Sequence, residues 1–165
     1  MRKAAGLAAA VSFLLVPNGH AAESPHRRPG LWTMTVREIG STAPPLVSKF
    51  CIDRRTEATL STFASNFKSQ DCPVLKTHPA ADGSSTDAVC RRGSAIMTSH
   101  SELHVGETAF STRSDIRTSE PLGRSRKQTI LGNAHWLGAC PSGMMPGDLV
   151  TSTGLRLKLA PPPAK

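Results

Sequence analysis

The residues best suited to chemistry in this sequence are two histidines and a glutamate at alternate positions. His100, Glu102 and His104 stand at i, i+2 and i+4 of one stretch. If that stretch is a strand, the three side chains point to one side, about 7 Å apart at successive positions. Two imidazoles and a carboxylate can bind zinc or copper, with His135 from another strand as a fourth ligand. The simpler interpretation is the solvent-exposed face of an antiparallel strand.

The two tryptophans are the second candidate site. Trp32 and Trp136 belong to the first and last of the long predicted strands. Inside a curled sheet they would line an apolar pocket for a lipid-like or aromatic ligand. Alternatively both are core anchors, since aromatic residues make up only 4% of the chain and tyrosine is absent.

Motifs for catalysis are missing from the sequence. It contains no Gly-x-Ser-x-Gly nucleophile elbow, no Cys-x-x-Cys pair and no phosphate-binding glycine loop. Its few acidic residues are scattered, so paired carboxylates for acid–base chemistry are not evident. The sequence therefore favours a non-enzymatic protein without a cofactor.

The four cysteines point to disulfides. Cys51, Cys72, Cys90 and Cys140 are an even number without metal-ligand spacing, which in an exported chain indicates two disulfides. Three connectivities are possible. Our prediction pairs Cys51 with Cys72 around the helix, and Cys90 with Cys140 between two strands.

Residues 1–22 are expected to be a cleavable signal peptide. Arg2 and Lys3 precede an apolar stretch at residues 4–16, and small residues follow at the expected cleavage site. This stretch of 13 residues, interrupted only by Ser12, is shorter than the roughly 20 that span a bilayer. We therefore expect a periplasmic protein without a membrane span after processing.

The net charge of the chain narrows the range of partners that we expect. The formal net charge is +8, and the chain stays basic after loss of Arg2 and Lys3. The densest basic patch is Arg124-Ser125-Arg126-Lys127. Because an exported protein seldom meets nucleic acid, the expected partners are an apolar small molecule, an anionic envelope component or another protein. A basic surface that only maintains solubility is the simpler alternative.

The patterning predicts a mostly β fold of the α+β type. One α-helix is expected over residues 54–67, with Asp53 as its N-cap. The other elements read as an antiparallel meander, curled or partly closed. Strands are predicted at 31–39, 47–52, 74–78, 86–91, 96–105, 110–118 and 128–137.

Residues 23–140 are predicted to form one disulfide-bearing domain. Its first residues, 23–30, are polar and proline-bearing, and we expect a mobile lead-in. Residues 141–165 are predicted to be an irregular tail, although alternation of Leu155, Leu157 and Leu159 would suit an edge strand.

Five short motifs occur in a familiar order and spacing. They are PGLW at 29–32, CID at 51–53, TSH at 98–100, WLGAC at 136–140 and PGD at 146–148. Together they resemble a family of Gram-negative periplasmic proteins classed as a domain of unknown function. The resemblance implies an exported, single-domain, cysteine-bearing protein, and it brings no activity, cofactor or catalytic residue.

Overall fold

Period-two alternation along the chain produces a single antiparallel sheet. The computed structural model describes residues 26–57, 71–121 and 123–158, which hold nine strands and one helical turn at 54–57. The predicted mostly β fold is confirmed. The strands are β1 (Gly30–Glu38), β2 (Leu46–Ile52), β3 (Val74–Ala80), β4 (Gly83–Arg92), β5 (Ala95–Val105), β6 (Ala109–Ser119), β7 (Ser125–Gly138), β8 (Asp148–Thr151) and β9 (Arg156–Lys158).

The sheet combines a meander of consecutive strands with a long-range pairing between β7 and the first strand, β1. Its strand order is β3-β4-β5-β6-β7-β1-β2-β8-β9, and every neighbouring pair is antiparallel. The meander covers β3 to β7, after which β1 lies beside β7. Because β3 and β9 are separate edges, the described sheet is open rather than partly closed.

Apolar side chains from five strands gather on one face, here called the inner face. Trp32 and Phe110 have ring centroids 5.5 Å apart, and Phe50 lies 6.4 Å from Phe110. Their burial contributes hydrophobic stabilisation to this sheet. The remaining buried members are Ile52, Ala134 and Leu149. The opposite side is here called the outer face.

Asp53 begins the helix as predicted. Its Oδ1 accepts a hydrogen bond from the Thr56 backbone N at 2.8 Å, and Glu57 N donates to Asp53 O at 3.0 Å. The rest of the predicted helix, including its apolar stripe, lies outside the described residues. So does the predicted signal peptide.

The predicted mobile lead-in is wrong at Arg27. This side chain is only 5% exposed, and its guanidinium lies 5.1 Å above the Phe110 ring. Its Nε lies 3.5 Å from the Glu57 carboxylate in the helical turn. A buried, paired guanidinium therefore fixes the chain just before β1.

Both predicted disulfide pairs are wrong. The structure joins Cys51 to Cys140 and Cys72 to Cys90. Leu31 in β1 lies opposite both Cys51 and Gly138, so the end of β2 meets the end of β7 across one strand. Pairing of β3 with β4 likewise brings Cys72 beside Cys90. The prediction followed order along the chain, whereas the sheet order decides which cysteines meet.

The segment after Cys140 returns to the sheet. Turns follow this cysteine, but β8 then pairs with β2, and Leu149 enters the core opposite Phe50. β9 pairs with β8 as an edge strand. The predicted irregular tail is therefore wrong for β8, because burial of Leu149 favours its ordering. β9 lies where the leucine alternation suited an edge strand.

Candidate functional site

The outer face carries side chains that lie directly opposite one another on five neighbouring strands. Strands are about 4.8 Å apart, so such side chains contact across the sheet. One row is strongly charged and polar, and we call it the charged row. Its members, from β3 to β7, are Lys76, Asp87, His100, Asp115 and Thr129.

His100 is the centre of the charged row. Its Nδ1 lies 2.7 Å from Asp87 Oδ1, and its Nε2 lies 3.6 Å from Glu102 Oε1. The hydrogen bond to Asp87 raises the pKa of His100, and the same bond lowers the pKa of Asp87. His78 Nε2 lies 3.7 Å from the other oxygen of Asp87. All of these groups are well exposed to solvent.

His104 has a different carboxylate as its partner. Its Nδ1 lies 2.9 Å from Asp82 Oδ2, and this hydrogen bond lowers the pKa of Asp82. His135 lies on β7, and β6 separates it from His104 on β5. Within the described ranges, no three His, Cys, Asp or Glu side chains are grouped to hold a metal ion. The four predicted ligands thus share the outer face without converging.

His104 and His135 do line one shallow depression of about 290 Å³. Ser111 lies directly opposite His104, and Asn133 lies directly opposite Ser111. The two imidazoles therefore stand at opposite sides of this depression, with a hydroxyl and an amide between them.

The two tryptophans lie directly opposite each other on β1 and β7. Trp32 has no exposed surface, and its Nε1 donates to Arg28 O at 2.9 Å. Trp136 is half-buried: the Arg28 guanidinium lies 4.4 Å over its ring, and its Nε1 donates to Pro29 O at 3.1 Å. Trp32 is therefore a core residue that a ligand cannot reach without opening the fold.

A larger depression of about 460 Å³ crosses the outer face. Members of the charged row line it together with the adjacent row of directly opposed side chains, and we call this depression the outer groove. The row changes from apolar at β3 to cationic at β7. Its members are Val74, Val89, Thr98, Arg117 and Lys127.

The cationic end of the outer groove has no carboxylate partner among the described residues. Arg117 Nε donates to Ser125 Oγ at 3.1 Å, which orients the guanidinium. The nearby carboxylate of Asp115 accepts from Thr129 Oγ1 at 2.5 Å and from Arg113 Nε at 2.9 Å. These hydrogen bonds lower the pKa of Asp115, and the one from Thr129 has the larger effect. Arg117 and Lys127 thus remain available to an anion.

The sequence identified the basic patch at residues 124–127 but not this pairing. Arg124 lies 3.6 Å from Glu120 in the turn between β6 and β7, and Arg126 lies 3.1 Å from Glu38 of β1, so both have a carboxylate partner. Only Lys127 faces the outer groove. Its partner Arg117 is ten positions away in the sequence, and the alternation of Arg113, Asp115 and Arg117 was the available signal for an outward cation.

These features define a small β protein with an open sheet, two disulfides and a charged outer face. A family model described as "Protein of unknown function (DUF3617)" matches residues 27–140, and the chain belongs to this family. The match confirms the resemblance to a domain of unknown function. No curated protein and no solved structure matches the chain. In the described part of the chain, no helix is long and apolar enough to cross a membrane.

Proposed function

We propose that this chain is an exported, non-enzymatic binding protein of the periplasm whose outer groove binds an anionic component of the cell envelope. The observation that carries the proposal is the pair of exposed cations, Arg117 and Lys127, at one end of a 460 Å³ depression. The chain stays basic without Arg2 and Lys3, which supports the same class of ligand, because a positive field attracts anions to the surface.

Export is supported by two independent features. Residues 1–22 have the charged, apolar and small-residue segments of a signal peptide. All four cysteines form disulfides, which persist in oxidising compartments such as the bacterial periplasm.

Metal binding is the competing proposal from another class. The observation that favours it is the approach of two imidazoles, His78 and His100, to the carboxylate of Asp87 within 3.7 Å. Zinc or copper would have to replace the hydrogen bond between His100 and Asp87, because that bond occupies the ring nitrogen facing the carboxylate.

Native mass spectrometry of protein recovered from the periplasm of its host tests both proposals. We expect a chain that lacks the signal segment, retains both disulfides and carries a non-covalent anionic ligand. The Arg117→Gln/Lys127→Gln double variant, recovered in the same way, should lose that ligand. A zinc or copper adduct instead would favour the competing proposal. A full-length chain found in the cytosol with free thiols would overturn the exported role.

A further inference from the structure

The outer groove has two chemically different ends. Its five lining strands are about 4.8 Å apart, so the row from Val74 to Lys127 extends about 19 Å. At the β3 end, Val74 is 36% exposed and Val89 is half-buried. Ile96, two positions before Thr98 on the same face, is 46% exposed. Solvent-exposed apolar surface therefore lies at the β3 end of the groove, and positive charge lies at the β7 end.

The cationic end is arranged to hold an anion. Arg117 and Lys127 lie directly opposite each other, where Cβ atoms are about 5 Å apart and like charges repel. An anion between them would replace that repulsion with two attractions. Ser125 engages Nε of Arg117, which leaves the terminal guanidinium nitrogens for the ligand. A phosphate offers three oxygens to such a guanidinium and to an ammonium.

The charged row lines one side of the groove and restricts where the anion binds. Asp87 and Asp115 lie on that row and themselves line the outer groove, two positions along their strands from Val89 and Arg117. Their negative charge disfavours an anion near the middle of the sheet. Asp115 is paired with Arg113, whereas Arg117 and Lys127 have no carboxylate partner among the described residues. The anionic group is therefore directed to Arg117 and Lys127, and the rest of the ligand extends toward Val89 and Val74.

We infer that the outer groove binds a phosphate-bearing amphiphile, with its phosphate between Arg117 and Lys127 and its apolar part against Val89 and Val74. This inference rests on the proposed function and names the chemical class of its ligand. A phospholipid headgroup with the first carbons of its chains has this combination of charge and apolar surface.

Dodecyl phosphate below its micellar concentration is the probe for this inference. It is titrated into the disulfide-bonded chain without residues 1–22, and backbone amide NMR spectra follow binding. We expect saturable shifts at Thr98, Arg117 and Lys127. The Arg117→Gln/Lys127→Gln variant should bind about tenfold more weakly, because two charge-assisted contacts are lost. Arg37→Gln/Lys49→Gln removes the same charge from exposed outer-face positions away from the groove and is the matched control.

Two further probes distinguish the contribution of the phosphate from that of the alkyl chain. Inorganic phosphate tests the anion alone, and dodecyl maltoside tests the alkyl chain alone; both should bind at least about tenfold more weakly than dodecyl phosphate. If inorganic phosphate binds as tightly as dodecyl phosphate, the groove binds an anion but not the apolar part of an amphiphile, and the inference is wrong. Equal weakening in the control variant would overturn the site and with it the proposed function. No binding of dodecyl phosphate would overturn the amphiphile alone if native mass spectrometry still finds an anionic ligand that the Arg117→Gln/Lys127→Gln variant loses.

Discussion

Arg27 and Glu57 join the start of the β domain to the helical turn. Oε1 of Glu57 accepts from the backbone N of Arg27 at 2.7 Å, and Nη2 of Arg27 donates to Glu57 O at 3.2 Å. Burial lowers the pKa of Arg27, whereas the charge of Glu57 and its hydrogen bond raise it. The guanidinium also lies 5.1 Å over the Phe110 ring, so a charged pair rests directly on the core.

Arg27→Ala should destabilise the domain by about 3 kcal/mol, because it removes a buried guanidinium that pairs with Glu57 and packs on Phe110. His26 lies 3.4 Å from Glu57 and limits the loss. Arg28→Ala is the matched control, since that neighbouring guanidinium is half exposed over Trp136 and should cost about 1 kcal/mol or less. Urea unfolding measures both changes. Equal losses would mean that the buried pair contributes no more than the exposed one.

The two disulfides should stabilise the domain unequally. The Cys51–Cys140 bond closes a separation of 89 residues, and the Cys72–Cys90 bond closes one of 18. In the loop-entropy model their removal costs about 4.5 and about 3 kcal/mol, respectively. Paired Cys→Ala variants and denaturant unfolding check this order. Non-reducing peptide mapping checks the connectivity, and a peptide linking Cys51 to Cys72 would contradict it.

Asp87→Asn should lower the pKa of His100. Its pKa lies above the ordinary 6.5 chiefly because of the hydrogen bond to Asp87, with Glu102 adding a smaller effect. A raised pKa means that the contribution of His100 to stability is complete below its unfolded pKa of about 6.5 and is lost as pH rises through the folded value. NMR titration of the imidazole follows this change. Asp82→Asn, which alters the partner of His104, is the control and should leave the His100 titration in place.

Gly30→Ala, at the first residue of β1, should strongly destabilise the fold. Gly30 has a φ of +135°, and an added Cβ would lie 2.2 Å from Gly138 O in β7. The clash and the backbone strain together should cost about 3 kcal/mol. Gly40→Ala separates the two effects, because its φ of +79° is strained but nothing lies within 4 Å of the new Cβ. It should cost about 1 kcal/mol by thermal unfolding.

Tryptophan fluorescence should report the two positions differently. In a Trp136→Phe variant the remaining Trp32 has no exposed surface, so acrylamide should quench it poorly. In a Trp32→Phe variant the half-buried Trp136 should be quenched more strongly. A ligand that quenches Trp32 at native stability would contradict its assignment to the core and revive an apolar pocket between the tryptophans.

Local patterns predicted most of the strands. Alternation of apolar and polar residues is a property of a few neighbouring positions, so β1, β2 and β5 to β7 were identified nearly to their ends. Asp53 was identified as an N-cap for the same reason, because its partners are two and three residues away. The outward direction of His100, Glu102 and His104 also follows from this alternation.

Long-range features were missed because each depends on which strands become neighbours. The insertion of β1 between β7 and β2 decided the pairing of Cys51 with Cys140, and addition of β8 beside β2 ordered a segment predicted to be irregular. Arginine is a residue type that usually lies at the surface, and the burial of Arg27 is tolerated because its guanidinium approaches Glu57.

The sequence alone determined the β class, the helix start, the presence of disulfide-forming cysteines and the polarity of the outer face. Each of these follows from the side chains themselves or from neighbours within a few residues. Only the tertiary structure decided the disulfide connectivity, the separation of the candidate metal ligands and the meeting of Arg117 with Lys127. Those depend on strand order and register, which are set by burial of the whole inner face rather than by any local segment.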